Sequence, residues 1–151
     1  MMVTSRDTRR WLIPKGNPIR GLQPHSAAAQ EAFEEAGVAG VPCPIALGSY
    51  CYWKRRSDGR FNQAIVQVFP LSVLLQAEEW PESKERERRW FPAAEAAEVV
   101  EEAGLSALIL SFRPEPADTG AAARALRWTR QTVSDRFPGP GWPRGLLGGR
   151  P

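Results

Sequence analysis

Residues 16–38 read GNPIRGLQPHSAAAQEAFEEAGV in one-letter code. Gly16, Pro18 and Gly21 mark the first part as a loop. Pro24 suits a first helical turn, where its missing N–H is no loss, and Gly37 is a typical C-terminal glycine. The stretch therefore predicts a helix from Pro24 to Ala36. On that helix Glu31, Glu34 and Glu35 stand at i, i+3 and i+4 and share one face. Ala27 and Ala28 fall on the same side, leaving room between the acids. The opposite face carries Ala29, Ala32, Phe33 and Ala36, the stripe of a core-facing helix.

Three neighbouring carboxylates repel one another, and Glu31 with Glu35 is a destabilising like-charge pair. A divalent cation relieves that repulsion. Mg²⁺ takes oxygen ligands, keeps waters and is usually completed by substrate phosphates, and it could polarise a phosphoryl oxygen or activate water. On spacing alone, a solvated acidic helix face explains the triad equally well.

The flanking sequence supplies strands. Met2-Val3-Thr4 reads as a short strand and Trp11-Leu12-Ile13-Pro14 as an extended segment ended by proline. Strands are expected over 45–55 and 61–73, joined through Ser57-Asp58-Gly59-Arg60, since Asp-Gly between apolar runs is a hairpin signal. Ile65, Val66, Val68 and Phe69 are the expected core residues of the second. A further strand is expected over 88–91, a helix from Pro92 to about Ala103 with Gly104 as its stop, an apolar stretch from Leu105 to Phe112, and a helix over 121–136. Residues 138–151 are too rich in proline and glycine to fold alone. Helices interleaved with a hairpin make a mixed α/β domain.

Bulk composition excludes several classes. The chain has 151 residues with 42% hydrophobic content, enough for one compact domain. It has no apolar run long enough to span a membrane and no apolar core of a secretory signal at its start. Cys43 and Cys51 are too few for a disulfide scaffold and lack a companion zinc cluster, so a cytoplasmic setting is the expectation. A net charge of +3 with no nucleic-acid motif argues against nucleic acid as partner. Basic residues near the start (Arg6, Arg9, Arg10, Lys15, Arg20) and at Lys54, Arg55, Arg56 and Arg60 favour an anionic small molecule, although ordinary surface solvation explains them as well.

Residues 16–38 resemble the Nudix box: a glycine, five residues, a glutamate, seven residues, then Arg-Glu, an aliphatic residue, any residue, Glu-Glu, any residue, glycine and an aliphatic residue. Gly16, Glu31, Ala32, Glu34, Glu35, Gly37 and Val38 fall in register without a gap. Leu22 stands where the first glutamate belongs and Gln30 where the arginine belongs. Thr4-Ser5-Arg6 and Arg10 to Gly16 also resemble the approach to the box in diphosphoinositol-polyphosphate and dinucleoside-polyphosphate hydrolases. With Gly48 to Lys54, Val66 to Phe69 and Arg89-Trp90-Phe91-Pro92, the resemblance covers residues 3–112.

The resemblance implies an α/β/α sandwich with a mixed β-sheet and a catalytic helix after a loop, spanning residues 1–112 and followed by a helical extension over 113–136. It implies a Mg²⁺- or Mn²⁺-dependent pyrophosphohydrolase. Glu31, Glu34 and Glu35 would be metal ligands, one of them doubling as base, and the Gly16 carbonyl would join them. The base can instead come from a later loop, where Glu82, Glu85 and Glu87 are the candidates and Glu87 is the one carried forward. Arg6, Arg10 and Lys15 would clamp the phosphates of the substrate, a diadenosine or diphosphoinositol polyphosphate. His25 is expected at the surface, Trp11 and Trp90 in the core or pocket wall, and Cys51 at a buried or edge position. The departures from the pattern at Leu22 and Gln30 keep open a domain that binds a nucleotide or polyphosphate without cutting it. The family fold also implies a strand upstream of Met2–Thr4 that the sequence as written does not supply; an uncovered edge invites pairing with another chain, as in a homodimer.

Overall fold

A computed structural model describes residues 1–55 and 58–114. In chain order the elements are β1 (Met2–Thr4), β2 (Trp11–Leu12), α1 (Pro24–Ala36), β3 (Val38–Pro42), β4 (Gly48–Arg55), β5 (Phe61–Val68), β6 (Leu71–Gln76), β7 (Arg88–Arg89), α2 (Ala93–Val99) and α3 (Ala103–Ser111). The expected helix 121–136 and tail 138–151 lie outside the described residues. The class is α/β, as the sequence implies. Strand pairings among the described residues are antiparallel and form three small sheets, ordered β2-β1-β7, β3-β6 and β4-β5.

β1 organises the layers. Side chains of a strand alternate between faces, and here both faces are buried. Met2 enters a cluster with Tyr50, Ala96, Val100 and Leu105, whereas Val3 enters one with Leu12, Ala32, Ala36 and Val38. α1 therefore covers one side of β1, and the hairpin with α2 and α3 covers the other. A third cluster, Phe33, Ala39 and Ala77, seals the far side of α1. Helix α1 has the boundaries expected, with Pro24 in its first turn and Gly37 at φ 63° as a left-handed cap, its N–H bonded to the Ala32 and Phe33 carbonyls.

Several elements differ from the sequence reading for identifiable reasons. Strand β3 is absent from it because Gly40 and Pro42 weaken any strand pattern. Gly40 is nevertheless required, since a Cβ there would overlap the Ser72 backbone beside a bulge between Ala39 and Gly40. The single strand expected over 61–73 breaks at Phe69-Pro70 into β5 and β6, because proline lacks the ladder donor. The strand expected from residue 45 starts at Gly48. Gly104 does not stop a helix: α2 ends at Val99, and Gly104 lies in the first turn of α3, where its missing Cβ lets Tyr50 approach. The apolar stretch 105–112 is thus mostly helix, anchored by fully buried Leu105.

The β4–β5 hairpin buries one face only. Tyr50, Tyr52, Val66 and Val68 pack inward, while Trp53, Phe61 and Ile65 face solvent, so Ile65 is no core residue. Cys51 lies exposed on the same strand. Trp11 joins the core edge-on against Phe91 at 5.0 Å, whereas Trp90 is exposed and bonds Gln76 Oε1 at 2.9 Å. None of the helices among the described residues is long and apolar enough to cross a membrane.

Leu105→Ala is expected to lower stability by about 2–5 kcal/mol through loss of contacts and a residual cavity. Ile65→Ser should change it by less than about 0.5 kcal/mol. Urea unfolding of both variants measures the contrast, and equal losses would mean the outward hairpin face is buried after all.

Candidate active site

The site is assembled where the C-terminal half of α1 meets the loop before β7. Glu35 points inward and is buried, 6% exposed. Burying a carboxylate is costly unless it is paired, and two donors meet it. The Arg86 guanidinium forms an ion pair with Oε1, and the Lys15 backbone N–H donates to Oε2 at 3.1 Å. Burial still holds the Glu35 carboxyl above the ordinary carboxylate range; the Lys15 N–H and Arg86 pull it back only in part. The face read from the sequence as metal-facing is therefore half interior.

Arg86 is itself buried and fully engaged. Its Nε bonds the Glu82 carboxylate, one Nη bonds Glu35, and the other donates to the Thr4 carbonyl at 2.9 Å. The loop is stitched to α1 at further points. Glu82 N–H donates to Glu34 O at 3.1 Å, Trp80 Nε1 to Glu35 O at 3.0 Å, and Arg88 to Ala36 O at 2.7 Å while stacking 4.0 Å over the Trp80 ring. These bonds satisfy carbonyls at a helix end that would otherwise lack partners.

Glu31 lies beneath the loop that begins at Gly16. A Cβ at Gly16 would coincide with the Glu31 carboxylate, so the Gly16 backbone lies close against that side chain as it stands. Burial first, then the charges of Glu34, Glu35 and Glu82, push the Glu31 carboxyl up. Glu34 accepts a hydrogen bond from Gln30 Nε2 at 2.6 Å, while Gln30 Oε1 is buried with no hydrogen-bond partner among the described residues.

The structure places the other expected residues less centrally. Glu87 is exposed and pairs with Arg9, away from the acids. Extended chain alternates its side chains, so Arg86 turns inward and Glu87 outward. Glu82 is the loop carboxylate whose charge acts on both Glu31 and Glu35. Arg6 pairs with Glu82 at 3.7 Å and Glu85 at 3.4 Å, and Arg10 with Glu101 at 2.6 Å and Glu102 at 3.0 Å. Lys15 Nζ stands 5.3 Å over the Tyr52 ring, and burial lowers its pKa. His25 is half-buried, tilted against Phe69. Arg86, Trp80 and Arg88 were not singled out from the sequence, because a run of alternating charges reads as a solvated loop.

The chain matches the NUDIX domain family over residues 2–113. It belongs to the Nudix family. It is 32% identical over 138 residues to Nudix hydrolase 12, mitochondrial, of Arabidopsis thaliana, covering 89% of this chain and 66% of the relative. Nudix hydrolase 21, chloroplastic, of the same plant is 34% identical over 105 residues, covering 67% of this chain and 49% of the relative. Diphosphoinositol polyphosphate phosphohydrolase 3-beta of Bos taurus is 31% identical over 103 residues, covering 67% and 58%. The chain thus spans between about half and two thirds of these relatives' lengths.

Nudix proteins generally use divalent cations, and the donors here fit one. They are hard oxygens: the carboxylates of Glu31, Glu34 and Glu35 and the closely approaching Gly16 backbone. Among the described residues no three acid, imidazole or thiol groups form a ready-made cage. A cation held here would draw on the Gly16 carbonyl, waters and substrate phosphate, as Mg²⁺ commonly does.

Folded Glu31 and Glu35 keep their protons to higher pH than in the unfolded chain, which releases them near 4.5. The folded chain then binds more protons across that interval, so metal-free stability falls as pH rises through it. Glu31→Gln is expected to raise the melting temperature of the metal-free protein at about pH 7, with the gain disappearing at about pH 4. A drop at neutral pH would contradict the electrostatic account.

Proposed function

We propose that this chain is a metal-dependent pyrophosphohydrolase cleaving a phosphoanhydride bond in a polyphosphorylated small molecule. The observation that carries the reading is the acid set Glu31, Glu34 and Glu35 in register with Gly16, whose backbone lies directly on the Glu31 carboxylate. A bound Mg²⁺ or Mn²⁺ would neutralise developing phosphoryl charge and make water more acidic. Glu31, set against the Gly16 backbone, is the α1 carboxylate we assign to accept a proton from the attacking water. Glu35 is fixed in direction by Arg86 and the Lys15 amide, and Glu34 by Gln30. Glu82, whose charge acts on Glu31 and Glu35, is favoured over the outward Glu87 as the loop carboxylate that assists.

Lys15 supports an anionic substrate most directly, being a half-buried cation whose Nζ bonds no carboxylate among the described residues. Arg6 is half exposed, and surface ion pairs such as its own are weak, so a phosphate can recruit it. Arg10 is held more firmly by two acids. A diphosphoinositol or diadenosine polyphosphate is the proposed substrate class, in keeping with the bovine relative's name. The alternative, a module that binds without cutting, draws on Leu22 and Gln30, which stand where the box has a glutamate and an arginine.

Phosphate release from diadenosine polyphosphates, nucleoside triphosphates, ADP-ribose and diphosphoinositol polyphosphates, with Mg²⁺ or Mn²⁺, tests the proposal. The expected result is metal-dependent turnover that vanishes in Glu34→Gln. A folded protein that binds a polyphosphate without turnover would favour the alternative.

A further inference from the structure

We propose that Arg86 is the positioning residue of this site, a fork that fixes Glu35 and Glu82 in one arrangement and serves as their counter-charge before any divalent cation binds. The inference rests on the hydrolase reading and adds a residue to it.

Three separate groups converge on one side chain. Nε reaches Glu82, one Nη reaches Glu35, and the other reaches the Thr4 carbonyl at 2.9 Å. Glu35 belongs to α1, Thr4 ends β1, and Glu82 lies in the loop before β7, so Arg86 ties three parts of the chain at the point where the acids gather. Only a guanidinium presents planar, fixed donors in such a pattern; an ammonium is a compact point charge. Arg86 is 9% exposed. Its bonds hold in a setting where water cannot easily replace them.

The two properties of Arg86 have different consequences. Its shape sets the direction of the Glu35 carboxylate, and small misplacements of a catalytic constellation slow reactions about a hundredfold. Its charge opposes a second cation nearby. Removing the guanidinium leaves the buried Glu35 carboxylate with the Lys15 amide and the more distant Lys15 charge as its remaining partners, an unfavourable state that a divalent cation would relieve. Turnover and metal affinity should therefore move in opposite directions, which a general loosening of the fold would not produce.

The experiment compares wild type, Arg86→Met and Arg86→Lys. Far-UV circular dichroism checks folding, Mn²⁺ affinity is read without substrate from the electron paramagnetic resonance of free Mn²⁺, and kcat and KM are measured on the substrate that wild type turns over. Arg86→Met is expected to lose about a hundredfold in kcat with KM within about threefold, while binding Mn²⁺ about tenfold more tightly. Arg86→Lys keeps the charge and loses the fork, so its Mn²⁺ affinity should stay within about twofold while kcat falls about tenfold. If Arg86→Met does not fold, the lysine variant decides on the same readouts. Variants with wild-type turnover, or turnover and Mn²⁺ affinity falling together in folded protein, would overturn the proposal. A silent wild type would overturn the hydrolase reading and this proposal with it, whereas an active wild type matched by its variants removes the proposal alone.

Discussion

A carboxylate inside a protein must find cationic or N–H partners, and the structure turns on how Glu35 finds them. Arg86 reaches it from the loop before β7 and the Lys15 amide from the chain entering the box. Those two partners lie 71 residues apart in sequence (86 minus 15), so satisfying one buried charge closes the domain around α1. The same closure brings Glu82 to the acids and lays Trp80 and Arg88 over the last carbonyls of the helix. Stability and site geometry share these bonds.

The box departs from its family at Leu22 and Gln30, and the structure shows what the second departure does locally. Gln30 donates to Glu34 without adding positive charge, so it orients one acid while leaving the cluster's negative charge undiminished. Arg86 then supplies the cation that the cluster bonds to. Around this centre, exposed pairs join the N-terminal turn to the neighbouring acidic stretches: Arg6 and Arg9 to Glu85 and Glu87, Arg10 to Glu101 and Glu102. Individually such pairs contribute little; those of Arg6 and Arg9 join the turn to the stretch that carries Arg86, and those of Arg10 join it to the segment between α2 and α3.

Much of this was legible in the sequence where a residue has one structural use. Pro24 and Gly37 bounded α1 because proline and glycine restrict the backbone in opposite ways, and the acid spacing followed from helical periodicity. β3 was hidden because Gly40 is demanded by a bulge and a close backbone approach that only the partner strand reveals. α3 was hidden because a short apolar run fits a helix or a strand equally until its neighbours are known. Arg86 was hidden for a deeper reason. Nothing local separates an inward arginine from the outward Glu87 beside it; the partner that draws it in lies on α1. Likewise Ile65 looks like core until the hairpin is seen to pack on one face only.

The most direct test of the central claim is an anomalous difference map from a crystal of the protein soaked in Mn²⁺. The account predicts a peak between the Gly16 carbonyl and the α1 carboxylates, with Arg86 still bonded to Glu35 or Glu82 beside it. A peak elsewhere, or none at saturating Mn²⁺ in a well-ordered crystal, would contradict it.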